Sequence, residues 1–193
     1  MERRRLLAGS LAAAVVVGLG GGWWLSQQGD DGPATLPAAG AGTVPDSGIP
    51  VATDLSGDPL PNVTARTLDG SDAVPLRSLV GQPLILNFWS STCVPCRKEM
   101  PAFEALHRAV GDRVRIVGVD PQDAAENAKA FATKVGATYT LLRDTDGSVT
   151  AGLGVAALPT TVFIDPRGVV VKSKAGALTE AQLRSTVDAL FPT

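Results

Sequence analysis

Leu84-Ile85-Leu86-Asn87-Phe88-Trp89-Ser90-Ser91-Thr92-Cys93-Val94-Pro95-Cys96-Arg97-Lys98-Glu99-Met100-Pro101 is the stretch from which the fold of this 193-residue chain is read. Its first half, Leu84 to Ser90, is a continuous apolar run of the kind that suits a buried central strand. Its second half opens a helix. From Pro95 to Val110 the side chains Met100, Phe103, Leu106 and Val110 recur every three or four residues and form one apolar stripe. Pro95 fits the first turn, where a missing N–H costs nothing. Cys93 and Cys96 thus stand where a buried strand hands over to a helix. Residues three apart on a helix have Cβ atoms about 5–6 Å from each other, so a modest adjustment brings the two sulfurs to bonding geometry.

At the mouth of that helix Cys93 faces unpaired backbone N–H groups and the positive end of the helix dipole, which stabilise thiolate over thiol. Lowering a thiol pKa from about 8.5 to about 7 corresponds to roughly 2 kcal/mol. Arg97 and Lys98 add positive charge one turn in. Two other uses of the pair are weaker. An inert structural bridge across three residues closes a tiny loop and constrains the unfolded chain little. A zinc site needs four ligands, and only His107 and scattered carboxylates remain to complete one. Reversible dithiol chemistry is the expectation.

The flanking sequence supplies the rest of a domain. Asn62–Leu68, the turn Asp69-Gly70 and Ala73–Leu76 predict a small hairpin. Arg113–Val119 predicts a second buried strand. Asp120-Pro121-Gln122-Asp123 then opens a helix with Asp120 as its cap, and Gly136 closes it. Thr138–Leu142 predicts a third strand, and Thr161–Asp165 with Gly168–Ser173 a hairpin about Pro166-Arg167-Gly168. Thr179-Glu180-Ala181-Gln182 is a capping box for a final helix ending near Phe191. Strands that alternate with helices and finish as hairpin plus helix imply an α/β fold, a mixed sheet flanked by helices.

Upstream, Arg3, Arg4 and Arg5 precede an uncharged run of twenty residues from Leu6 to Leu25. A helix of that length spans roughly 30 Å, the thickness of a hydrocarbon core. Trp23 and Trp24 sit at its far end, where amphipathic rings favour the headgroup level. No Lys or Arg follows until Arg66, which predicts a cytoplasmic N-terminus and everything beyond Leu25 outside. Residues 1–25 are therefore expected to be a signal anchor in the cell membrane, 26–52 a flexible Gly-, Pro- and Ala-rich linker, and 53–193 the working domain. The glycines of the run and the small residues Pro37-Ala38-Ala39-Gly40-Ala41 keep a cleaved signal and a secreted product as the alternative. Arg3-Arg4-Arg5-Leu6-Leu7 also bears a weak likeness to a twin-arginine export signal.

Composition narrows the function further. A net charge of −2 gives no basic surface for nucleic acid. Two cysteines exclude a disulfide-dense scaffold, and one histidine excludes a multi-histidine metal site.

Asn87 to Pro101 resembles the active-site segment of thioredoxins and, more narrowly, that of the membrane-anchored TlpA/ResA-like thiol–disulfide oxidoreductases. Leu158-Pro159-Thr160-Thr161-Val162-Phe163-Ile164-Asp165 is similar to the second motif of that family, and Pro101 matches its helix-kinking proline. The likeness covers about residues 53–193 and implies a thioredoxin-like fold with an N-terminal hairpin extension. It further implies that Cys93 attacks, that Cys96 resolves, and that Pro159 is a cis-proline packed against the sulfurs. By the same likeness, the backbone of Leu158 pairs with an extended substrate segment by strand addition. Glu99 matches a family carboxylate near the dithiol, a proton acceptor for Cys96. A solvated helix-surface Glu is the alternative there. Trp89 is expected at the substrate end of the site, more as packing under it than as chemistry.

No cofactor is implied. The partners are protein thiols and disulfides, a membrane electron donor for re-reduction, and the membrane through the N-terminal helix. Two departures from the family bear on this. Asn87 stands where thioredoxins carry a buried Asp, and Thr92 replaces the Trp that usually precedes the first cysteine. The expected activity is reduction of particular partners, such as apocytochrome c or copper-site cysteines. One alternative is a peroxiredoxin-like peroxidase, for which Ser90 is correctly placed but Leu86 occupies the position of a required Pro. The other is a Cu(I)-handling module, which two thiolates suit. His107 is expected to be a partly exposed surface residue.

Overall fold

The central apolar run forms β3, Leu84–Phe88, and all five of its residues are buried. The computed structural model describes residues 55–192, so the expected membrane helix and the whole of the expected linker lie outside the described residues. Before β3 come β1 (Thr64–Thr67) and β2 (Ala73–Pro75), the expected hairpin, followed by a 3-10 turn over Leu76–Leu79. After it come α1 (Val94–Val110), β4 (Arg115–Asp120), α2 (Ala125–Val135) and β5 (Thr140–Arg143). The chain ends with α3 (Ser148–Gly152), β6 (Thr160–Ile164), β7 (Val170–Ala175) and α4 (Glu180–Leu190).

The strands make one mixed sheet in the order β2-β1-β5-β4-β3-β6-β7. The central β5, β4 and β3 run parallel, and each side of that trio continues antiparallel. Side chains alternate between the faces of a strand. Leu84, Leu86 and Phe88 therefore join one core, with Val117, Val119, Val162 and Ile164. Ile85 joins the other, with Phe163.

That second face carries α1, α2 and α4. Met100, Phe103, Leu106 and Val110 of α1 pack there with Ala128 and Phe131 of α2 and Leu183 and Val187 of α4. Burying a large apolar side chain contributes roughly 1.5–3 kcal/mol. The stripe therefore outweighs the cost of Pro101 inside α1, about 3 kcal/mol for an interior proline. The opposite face is covered by Leu60, Leu76 and Leu79, with Val149 of α3 and Leu153 just beyond it.

Three details differ from expectation. Asp120 ends β4 and does not cap α2, which begins at Ala125 with no side-chain cap. Its carboxylate accepts the N–H groups of Gln122 and Asp123 instead, so it caps a turn. The third strand starts at Thr140, because Thr138 gives its N–H and hydroxyl to Glu104 of α1. The short α3 has no apolar periodicity to announce it. The buried Asp144 holds its start, accepting the N–H groups of Val149 and Thr150 and the Thr150 hydroxyl. Gly136 and the capping box of Thr179 and Gln182 stand where expected.

Candidate functional site

Cys93 is the N-cap of α1, and Cys96 occupies the first turn behind it. The two are joined by a disulfide, with Cα atoms 5.3 Å apart. The Cys96 N–H donates to Cys93 Sγ at 3.2 Å, one of the helix-start donors the sequence placed there. The two sulfurs have unequal access. Cys96 is fully buried in the core under α1, whereas Cys93 is only half-buried.

The loop leading to Cys93 is fixed by a residue the sequence reading assigned to a helix start. Asp123 accepts the Ser90 hydroxyl at 3.1 Å and the Ser91 N–H, and Ser90 also bonds Thr92. The carboxylate seeks backbone donors as expected, but the donors belong to a segment more than thirty residues away. Asp120, nearly fully buried beside it, is pushed up by that burial and by the charge of Asp123, against the two N–H bonds it accepts.

Behind the sulfurs lies Glu99, one helical turn after Cys96. It is 2% exposed, which corrects the surface alternative. Strand alternation aims Asn87 of β3 at α1, and the Asn87 side-chain amide donates to Glu99 at 2.7 Å. The Leu178 N–H donates to the other oxygen at 3.1 Å. Burial pushes the Glu99 carboxyl up to about 7, and these two bonds only partly offset it. Directly across the sheet from Asn87 is Thr161. Paired residues on one face have Cβ atoms about 4.5–5.5 Å apart. Asn87 Oδ1 and Thr161 Oγ1 are both buried without a hydrogen-bond partner, so this corner is polar and unsaturated. Leu178 carried no sequence signal, since only the tertiary fold brings it to Glu99, and Thr161 was read only as part of the second motif and its strand, not as a neighbour of Asn87.

A pH dependence follows. The folded pKa of Glu99 exceeds its unfolded value, so the folded state holds the extra proton and stability falls as pH rises from about 4.5 to about 7. The loss is about 3 kcal/mol. Glu99→Gln should flatten that fall in the oxidised protein, narrowing the drop in Tm between pH 5 and pH 8 by roughly 5–10 °C. A variant whose Tm follows pH as steeply as the wild type would show that Glu99 is not the titrating group.

The Leu158–Pro159 peptide bond is cis. Pro159 is buried and Leu158 half-buried at the start of β6, beside a groove of about 370 Å³ reached by Pro121 and Gln122. Trp89 is fully buried, its ring centroid 5.6 Å from that of Phe131, so it packs beneath the motif and presents no face to a partner. His107 is half-buried on α1, as expected. Thr92 is exposed, and Val94, between the cysteines, is 58% exposed.

The family model described as the AhpC/TSA family matches residues 56–173. The chain is 33% identical over 135 residues to the thioredoxin-like protein YneN of Bacillus subtilis (strain 168), covering 68% of this chain and 78% of that protein. It is 31% identical over 137 residues to the thiol-disulfide oxidoreductase ResA of the same bacterium, covering 70% and 76%. Among solved structures, it superposes with a TM-score of 0.60 on a secreted Mycobacterium tuberculosis disulfide oxidoreductase homologous to E. coli DsbE. That match has 29% identity and covers 66% of this chain and 96% of the other.

Proposed function

We propose, from the premise that this chain belongs to the AhpC/TSA family and is a thiol–disulfide oxidoreductase of the ResA/DsbE type, that Cys93 and Cys96 reduce disulfides of specific protein partners outside the cytoplasm. The observation that carries the division of labour is the unequal access of the two sulfurs. Only Cys93 is open to a partner, and it alone accepts a helix-start N–H that favours its thiolate.

In the reaction, the Cys93 thiolate attacks one sulfur of the partner's disulfide. The partner S–S bond breaks, its other sulfur leaves as a thiolate and takes a proton, and Cys93 is held in a mixed disulfide. Cys96 then gives its proton to Glu99 and attacks Cys93 Sγ. The partner's second thiol departs, Cys93–Cys96 is oxidised, and two electrons have passed to the partner. Glu99 suits the proton transfer because its carboxyl lies one turn from Cys96, away from bulk water, with a pKa of about 7. Leu158 offers backbone to an extended partner segment, next to the cis peptide bond it forms with Pro159.

Apocytochrome c and copper-site cysteines are substrates of the right chemistry, since both are exported dithiols that must be reduced before they bind a haem or a metal. The uncharged run Leu6–Leu25 supports a membrane anchor with the domain outside, and a membrane electron donor would restore the dithiol. Among the described residues no helix is long and apolar enough to cross a membrane. The peroxidase alternative is disfavoured by Leu86, buried in β3 where that chemistry needs a proline.

The test is a redox titration of the Cys93–Cys96 pair, run beside a peroxide-consumption assay and a Cu(I) titration. A potential near or below that of thioredoxin, about −270 mV, supports a reductant. A strongly oxidising potential, near −120 mV, turns the direction around. Peroxide turnover, or tight Cu(I) retention without disulfide exchange, overturns the reading.

A further inference from the structure

A second groove, of about 650 Å³, starts at Val94, just after Cys93, and follows α1 towards α2. Val94, Pro101 and Phe131 give it an apolar floor, and Arg97, Lys98 and Lys134 stand around it. Val94 is the only large apolar side chain so exposed among the described residues. The three cations are gathered around one groove beside the dithiol. Among the described residues Arg97, Lys98 and Lys134 make no ion pair, so no carboxylate among those residues neutralises the rim. Arg97 lies over the Phe131 ring, 5.9 Å from its centroid, a contact that leaves its N–H groups open. On a chain of net charge −2, an unpaired positive cluster is not a by-product of general basicity.

We propose that this groove docks an acidic, apolar segment of the redox partner. An apolar side chain would seat on Val94 and Phe131, and flanking carboxylates would meet Arg97, Lys98 and Lys134. The proposal rests on the dithiol exchange described above and gives it a substrate class: cysteines flanked by Asp or Glu and a large apolar residue. Charge complementarity at such a rim acts mainly on encounter rate and on rejection of wrong partners. No residue lines both this groove and the one at Leu158, so docking here leaves Leu158 free for strand addition.

The experiment follows thiol exchange from the reduced full chain to three disulfides. Two are peptides identical except for Asp-Leu-Glu or Lys-Leu-Lys beside the cysteine, and the third is the neutral bis(2-hydroxyethyl) disulfide. The wild type should reduce the acidic peptide about tenfold faster than the basic one, a ratio that shrinks towards unity in about 0.5 M salt. Lys134→Glu should lower that ratio several-fold. Both rates come from the same protein, so any change in thiol reactivity cancels, and Lys134→Gln serves if the reversal does not fold. A wild-type ratio of unity, or one unmoved by Lys134 substitution, overturns the groove alone. Binding to anionic phospholipid vesicles without any peptide preference also overturns it. A wild type that fails even on the neutral disulfide overturns the exchange reading beneath it.

Discussion

Cys93→Ser should abolish disulfide exchange, lowering turnover by roughly a thousandfold or more, as loss of a nucleophile does. Cys96→Ser should behave differently. It leaves the half-buried sulfur and its helix-start donor in place, so the first attack still occurs, but nothing remains to displace the partner. Mixed disulfides should accumulate, visible by mass spectrometry and non-reducing electrophoresis as adducts through Cys93. The asymmetry comes from burial. Cys96 sits in the core with Met100 and Phe103, where a partner cannot reach it without opening α1. If the adducts form on Cys96 in the Cys93→Ser protein, or if either variant keeps full activity, the assignment of attacker and resolver is wrong.

How much of this was legible in the sequence depended on whether an interaction was local. The helix stripe of Met100, Phe103, Leu106 and Val110, the apolar β3, the Gly136 stop and the capping box at Thr179 are each written within a few residues, and each appears in place. The cysteine pair was legible for the same reason. Interactions between distant segments were not. Asp123 obeyed the rule that carboxylates seek free N–H groups, but chose Ser91, and Asp120 chose a turn. Glu99 carried two readings until the fold buried it, because its partners Asn87 and Leu178 lie in β3 and before α4. Glu104, with Thr138 and Arg108 as donors, is the same case without a hint from any motif. Burial pushes its carboxyl up, and the three donors pull it below its usual value.

Gly118→Val should cost about 3 kcal/mol or more, at the upper end of overpacking effects. Gly118 lies in β4 between Asn87 and Leu141 of the neighbouring strands. A Cβ there would stand 2.5 Å from Leu141 Cδ2 and 2.8 Å from Trp89 Nε1, where carbon contacts prefer about 3.5–4.0 Å. Leu141 is half-buried and its terminal methyl can swing aside. Trp89 cannot, being fully enclosed against Phe131, and its backbone N–H is tied to the Val119 carbonyl of β4 at 3.0 Å. Displacing the ring would therefore pull on the segment that leads into Ser90 and Cys93. A β-branched residue in a strand gains up to about 1 kcal/mol in propensity, too little to compensate. Gly118→Ala should lose about 1–3 kcal/mol by the same clash with fewer atoms. Denaturant midpoints would rank the three proteins as wild type, Ala, Val in falling order. Trp89→Phe in the Gly118→Ala background should recover part of the loss, since it removes the ring atoms the new methyl meets. A Val variant within about 1 kcal/mol of the wild type, or a double variant with purely additive losses, would mean that Trp89 does not rest on Gly118 as described.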